Sequence, residues 1–212
     1  MSYQEIADAF RREIQTVLPK ISDAASKFGS IVKKSRRYPI KRIFTINTKD
    51  KTILHLIYFA KKGSDWDRPG LCIYSTFISH SQLHAISIDG PDGCICIHTG
   101  HFFDRYRERI INDPEISSED LIKEFMIKNQ DLMWYRNASC FSKEFKKHER
   151  VEMTQLAARV EEGNCFIDKI DNKLLIFRTI LSDEMLGIDQ SLAFSQLEQM
   201  RTSFASKARK KG

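Results

Sequence analysis

His80-Ser81-Gln82-Leu83-His84-Ala85-Ile86-Ser87-Ile88, Asp89-Gly90-Pro91-Asp92-Gly93, Gly93-Cys94-Ile95-Cys96-Ile97-His98: residues 80–98 read as a strand, a tight turn and a second strand. Apolar and polar side chains alternate on either side of a Gly- and Pro-bearing turn, the pattern of a hairpin with one buried face. If the loop is residues 89–93, Ile88 faces Cys94, Ile86 faces Cys96 and His84 faces His98. A slip of one residue would turn each of these side chains to the other face.

Upstream, Arg42–Asn47, Thr52–Ala60 and Leu71–Phe77 carry the same β-branched and aromatic signature. The polar turn Thr48-Lys49-Asp50-Lys51 and the Gly63–Gly70 loop separate them. Further upstream the period becomes helical. Ile6, Phe10, Ile14, Val17 and Leu18 predict one helix over 3–18, and Ile21, Ala24, Ala25, Phe28 and Ile31 predict another after Pro19. Downstream, helices are expected from about residue 100 and again after Ser117, a capping residue with Asp120 three positions on. Met153–Val160 reads as helix ending at Gly163. A second hairpin follows, Asn164–Ile170 and Lys173–Leu181 about the turn Asp171-Asn172. Leu174, Leu175, Ile176 and Phe177 are consecutive and apolar, so that strand is expected to be buried on both faces. Ser182 is placed to cap a terminal helix containing Met185, Leu186, Leu192, Phe194 and Leu197.

The expected fold is therefore α+β: an N-terminal helical pair, and a mainly antiparallel sheet with helices packed on it. The expected division is a helical segment over 1–34, an α+β core over 35–200, and a basic, disordered tail over 201–212. At 212 residues with 42% hydrophobic and 29% charged residues, the chain has the composition of a globular protein. No apolar run approaches the roughly 18 residues that span a bilayer, so no membrane partner is expected. The first residues lack the basic start and apolar middle of a secretory signal. Five cysteines (Cys72, Cys94, Cys96, Cys140 and Cys165), an odd number, suit free thiols in the cytoplasm better than a disulfide framework.

Three constellations bear on chemistry. In His98–Ile110, Phe102, Phe103, Tyr106 and Ile110 gather on one helical face, and His101, Arg105 and Arg109 form an i, i+4, i+8 stripe beside it. Histidine exchanges a proton near neutral pH, and arginine supplies bidentate donors to a phosphoryl group as its negative charge builds. A 2′-hydroxyl can serve as nucleophile on RNA, which removes the need for a metal. The competing reading is a solvated helical face with local ion pairs. The second constellation is His80, Gln82 and His84 on one strand with Cys94, Cys96 and His98 on the next, all but Gln82 of zinc-binding type. His84 and His98 are its central pair, although no Cys-x-x-Cys or His-Glu-x-x-His spacing accompanies them. The third is the basic run Lys33, Lys34, Arg36, Arg37, Lys41 and Arg42, with Tyr38 among them as a stacking ring. No Gly-rich phosphate loop and no Gly-x-Ser-x-Gly elbow occurs, so nucleotide hydrolysis and serine-hydrolase chemistry find no support.

The pattern His101-x-x-x-Arg105-x-x-Glu108-Arg109, followed by strands ending at Arg178-Thr179, resembles the RelE/barnase–EndoU–colicin superfamily of small RNase toxins. Some of its prophage- and mobile-element-associated members open with a helix of this type. The resemblance covers residues 98–181. It implies RNA cleavage without metal or cofactor, with His101 as acid/base, Arg105 and Arg109 beside an antiparallel sheet, and Arg178 and Thr179 as the matching sheet residues. The alternative expectation is a non-enzymatic module that binds nucleic acid or protein, or that self-associates into a homo-oligomer.

Overall fold

The computed structural model describes residues 1–89, 93–129, 133–135, 154–186 and 195. The chain forms two compact units, Met1–Ile97 and His98–Gly212.

The first unit opens with α1 (Tyr3–Thr16) and α2 (Leu18–Lys34). Ser2 and Glu5 form a reciprocal capping box at the start of α1, and Pro19 sits in the first turn of α2, where its missing N–H has no helical acceptor to lose. Then come β1 (Ile40–Asn47), β2 (Ile53–Ala60), a 3-10 turn over Gly63–Trp66, β3 (Gly70–Ser79), β4 (Gln82–Asp89) and β5 (Cys94–His98). The strands lie in the order β1-β2-β3-β4-β5, and the registers of β1 with β2, β2 with β3 and β3 with β4 are all antiparallel. Phe28 and Val32 of α2 are fully buried, as are Leu54, Leu56 and Ile57 of β2. Phe28 stacks on Tyr58 at 5.6 Å, and the Tyr58 hydroxyl donates to the Ile21 carbonyl at 2.8 Å. Lys20 Nζ of α2 also donates to the Asn47 carbonyl of β1 at 3.2 Å, so α2 is bound to the sheet through both apolar contact and hydrogen bonds.

The second unit contains α3 (Gly100–Tyr106), a π-helical turn over Arg107–Ile111, α4 (Ser118–Lys128), β6 (Met133–Tyr135), β7 (Thr154–Val160), β8 (Gly163–Asp171) and β9 (Leu174–Leu181). Its strands run in the order β9-β8-β7-β6, antiparallel throughout. Ser117 caps α4 as expected, accepting from the Asp120 N–H at 3.1 Å. Leu174, Ile176 and Phe177 are fully buried and Leu175 nearly so, as a strand covered on both faces requires.

Several local expectations need correction. Residues 154–160 form the strand β7, not a helix. Ala157 and Ala158 favour a helix intrinsically, but both are buried against β8 and pairing overrides the preference. Glu161-Glu162 is then a hairpin turn between Val160 and Gly163. Its Glu162 carboxylate accepts from the Tyr106 hydroxyl, from Lys128 Nζ at 2.9 Å and from Asn129 Nδ2 at 3.2 Å. Burial opposes the charge of Glu162, yet these three donors outweigh it and hold the carboxyl below its ordinary range.

His80 and Ser81 are not strand residues. They form a two-residue turn with φ of 49° and 61°, the left-handed pair a tight hairpin needs. The late hairpin turns at Asn172-Lys173, because Asp171 pairs with Leu174. After Ser182 come a 3-10 turn, Asp183–Met185, and Leu186 with extended backbone; farther on Ser195 alone is described, and it is helical. Leu192, Phe194 and Leu197 of the expected terminal helix, the basic tail, Met153, Cys140 and residues 90–92 of the first hairpin lie outside the described residues.

Candidate functional site

The motif helix is fixed at its start by Thr99. Its hydroxyl accepts from the Phe102 N–H at 3.1 Å and donates to the Phe177 carbonyl at 3.2 Å, tying α3 to β9. Phe102, Phe103 and Tyr106 are buried, as the helical period predicts. His101 is exposed, and its ring makes no hydrogen bond among the described residues. Arg105 Nη1 pairs with Glu108 Oε2 at 2.6 Å, and that bond holds the Glu108 carboxyl below its usual range. Arg109 reaches the sheet: its Nη1 donates to Thr179 Oγ1 at 3.2 Å and to the Ile180 carbonyl at 3.0 Å. Burial, then the charge of Arg105, draws the Arg109 guanidinium below its ordinary value.

Of the five expected residues the structure therefore joins Arg109 to Thr179. Arg178 Nε instead donates to Asp168 Oδ2 at 2.6 Å, and the Asp168 side chain is only 5% exposed. The β8–β9 register shifts here, Thr179 pairing with Phe166 and Phe177 with Ile167, so Arg178 stands at the irregularity. Charge is already matched at two of the three arginines. The Arg105–Glu108 pair is solvent-exposed, where screening leaves it weak and easily opened. The Arg178–Asp168 pair holds a buried carboxylate, and separating it costs more.

The two histidines weighed as metal ligands lie in different units and each has its own structural setting. His84 Nε2 lies 3.1 Å from the Ser79 carbonyl, and its ring stacks on Phe77. His98 is enclosed by Phe102, Phe103, Phe125 and Phe177. Among the described residues no group of three His, Cys, Asp or Glu is arranged to hold a metal ion. Cys96 and Cys165 are buried and Cys72 and Cys94 half-buried, and these four form no disulfide among the described residues. Burial pushes the Cys165 thiol well above its ordinary value.

The basic constellation belongs to the first unit. Lys33, Lys34, Arg36, Arg37, Lys41 and Arg42 are all exposed. Residues 1–97 hold fifteen Lys and Arg against nine Asp and Glu, whereas residues 98–212 hold nineteen of each. The whole formal charge of +6 therefore sits on the first unit. Tyr38 is half-buried, and its hydroxyl donates to the carbonyls of Val32 (2.7 Å) and Ser35 (3.2 Å). That ring secures the end of α2 before it could stack on anything else.

Sequence reading passed over Trp66, in the loop between β2 and β3. It is 43% exposed, and Lys33 Nζ lies 3.4 Å from its ring centroid. The available signal was an aromatic residue flanked by Lys61, Lys62 and Arg68.

No family model, no curated protein and no solved structure matches this chain. Fold and surface define an α+β protein whose net positive charge is confined to one unit, and no helix among the described residues is long and apolar enough to cross a membrane.

Proposed function

We propose that this protein binds RNA through the first unit, along the C-terminal end of α2 and the connector that follows. The observation that carries this reading is the confinement of the net charge to that unit, with Lys34, Arg36 and Arg37 exposed there. Among the described residues no hydrogen bond or ion pair holds these three side chains. Such cations gain most from releasing the counterions of a phosphate backbone. The Lys33 and Lys34 charges also suit the negative end of the α2 dipole, which stabilises the helix without using up their outward reach.

Replacing Lys34, Arg36 and Arg37 together by alanine is expected to weaken binding to a uridine decamer about tenfold at low salt. It should reduce the slope of log affinity against log salt by about 2, at about 0.7 per phosphate contact on a single strand. Unchanged slope in the triple variant would defeat the proposal.

A second reading is RNase-like cleavage by the second unit, favoured by the Arg109–Thr179 hydrogen bond, which joins two of the residues the toxin resemblance implies. In it His101 moves the proton and Arg105 swings from Glu108 to the phosphate. Wild type would then degrade RNA in EDTA at low salt, and His101→Ala would lose at least about a hundredfold of that rate. Equal rates for the two proteins would remove the reading.

A further inference from the structure

Trp66 is exposed, but the turn that carries it is anchored at its backbone. Asp65 Oδ2 accepts from the backbone N–H groups of Lys61 (2.8 Å) and Lys62 (3.1 Å), which closes the 3-10 turn. That turn is pressed against α2: a Cβ on Gly29 would lie 2.5 Å from the Trp66 carbonyl oxygen, so only glycine admits the approach. Four residues beyond Gly29 on the same helical face, Lys33 places its ammonium over the indole. The result is an exposed indole on an anchored turn beside the end of α2, where Lys34, Arg36 and Arg37 are also exposed.

Resting on the RNA-binding reading above, we infer that the ligand is single-stranded, and that an unpaired base stacks on Trp66 while the neighbouring cations hold its phosphates. Duplex RNA presents phosphates of equal charge but keeps its base faces stacked inside the helix, where an indole cannot reach them. A single strand offers both, and stacking on an aromatic ring tolerates any base. Lys33 makes the exchange favourable. Its exposed contact with the ring is worth less than a stacked base, and the displaced ammonium gains a phosphate in return. Because the turn is already seated on Gly29, little ordering accompanies binding.

The test uses the full chain carrying Trp134→Phe, which leaves Trp66 as the only indole. Binding of a uridine decamer is expected to quench Trp66 fluorescence, and an RNA duplex of similar charge is expected to leave it nearly unchanged. On the same background, Trp66→Ala should weaken decamer binding about tenfold with the salt slope unaltered, and Trp66→Phe should restore most of the loss. If Trp66→Ala binds within twofold of its parent, or the duplex quenches as strongly as the decamer, the stacking inference is overturned. Steep salt dependence in that case would still uphold RNA binding by the basic surface. Absence of salt-dependent binding to either RNA would overturn both.

Discussion

Phe102→Ala is expected to lower the unfolding free energy of the second unit by about 4 kcal/mol, within the range for emptying a buried aromatic site. Phe102 is fully buried at the centre of the cluster that joins α3, α4 and β9. Its ring centroid lies 5.1 Å from Phe125, 5.4 Å from His98 and Phe103, and 5.8 Å from Phe177, mostly in edge-to-face geometry. Each such pair adds roughly 0.5–1.5 kcal/mol beyond the area it buries. A domain of this size is stable by roughly 5–15 kcal/mol, so the loss is a large share of the whole. Urea unfolding followed by circular dichroism is the direct measurement. Phe102→Leu, which keeps much of the volume, should recover more than half of the loss. An alanine variant as stable as wild type would mean that α3 is not packed on β9 through this ring.

Much of the architecture was legible because its signals are local. The alternation in residues 82–98, the turn around Lys49-Asp50, and Ser117 with Asp120 each name an element from a few adjacent residues, and each element is there. The misreadings came where distant residues decide. Ala157 and Ala158 belong to a strand only because β8 lies beside them. His80-Ser81 adopts left-handed backbone without the Gly or Asn that would announce it.

The candidate site divides the same way. Helical period placed Phe102, Phe103 and Tyr106 inward and left His101 outside. It could not reveal that Arg178 is engaged by Asp168, because that pair forms across two strands at an irregular register. Nor could spacing show that Tyr38 turns its hydroxyl onto the end of α2, leaving Trp66 as the exposed ring.

His98 should make the second unit acid-labile over a range its carboxylates do not explain. Burial among four hydrocarbon rings pulls its imidazole down to about 3, and its Nδ1 has no hydrogen-bond partner among the described residues. In the unfolded chain the same group has its ordinary value of about 6.5. Between these values the unfolded state binds a proton that the folded state refuses, so stability falls as pH falls. The slope is about 1.36 kcal/mol per pH unit once the unfolded group is fully charged. From pH 7 to pH 4 the accumulated loss is about 3 kcal/mol. Carboxylates and His84 contribute slopes of their own, which the difference between wild type and His98→Phe cancels. Phenylalanine keeps the stack on Phe177, now 4.2 Å between centroids, and carries no proton site. Its variant is expected to match or exceed wild type at pH 7 and to exceed it by about 3 kcal/mol more at pH 4, read from urea midpoints at each pH. A constant difference across that range would mean that His98 titrates freely while folded, and its packing against α3, α4 and β9 would have to be redrawn.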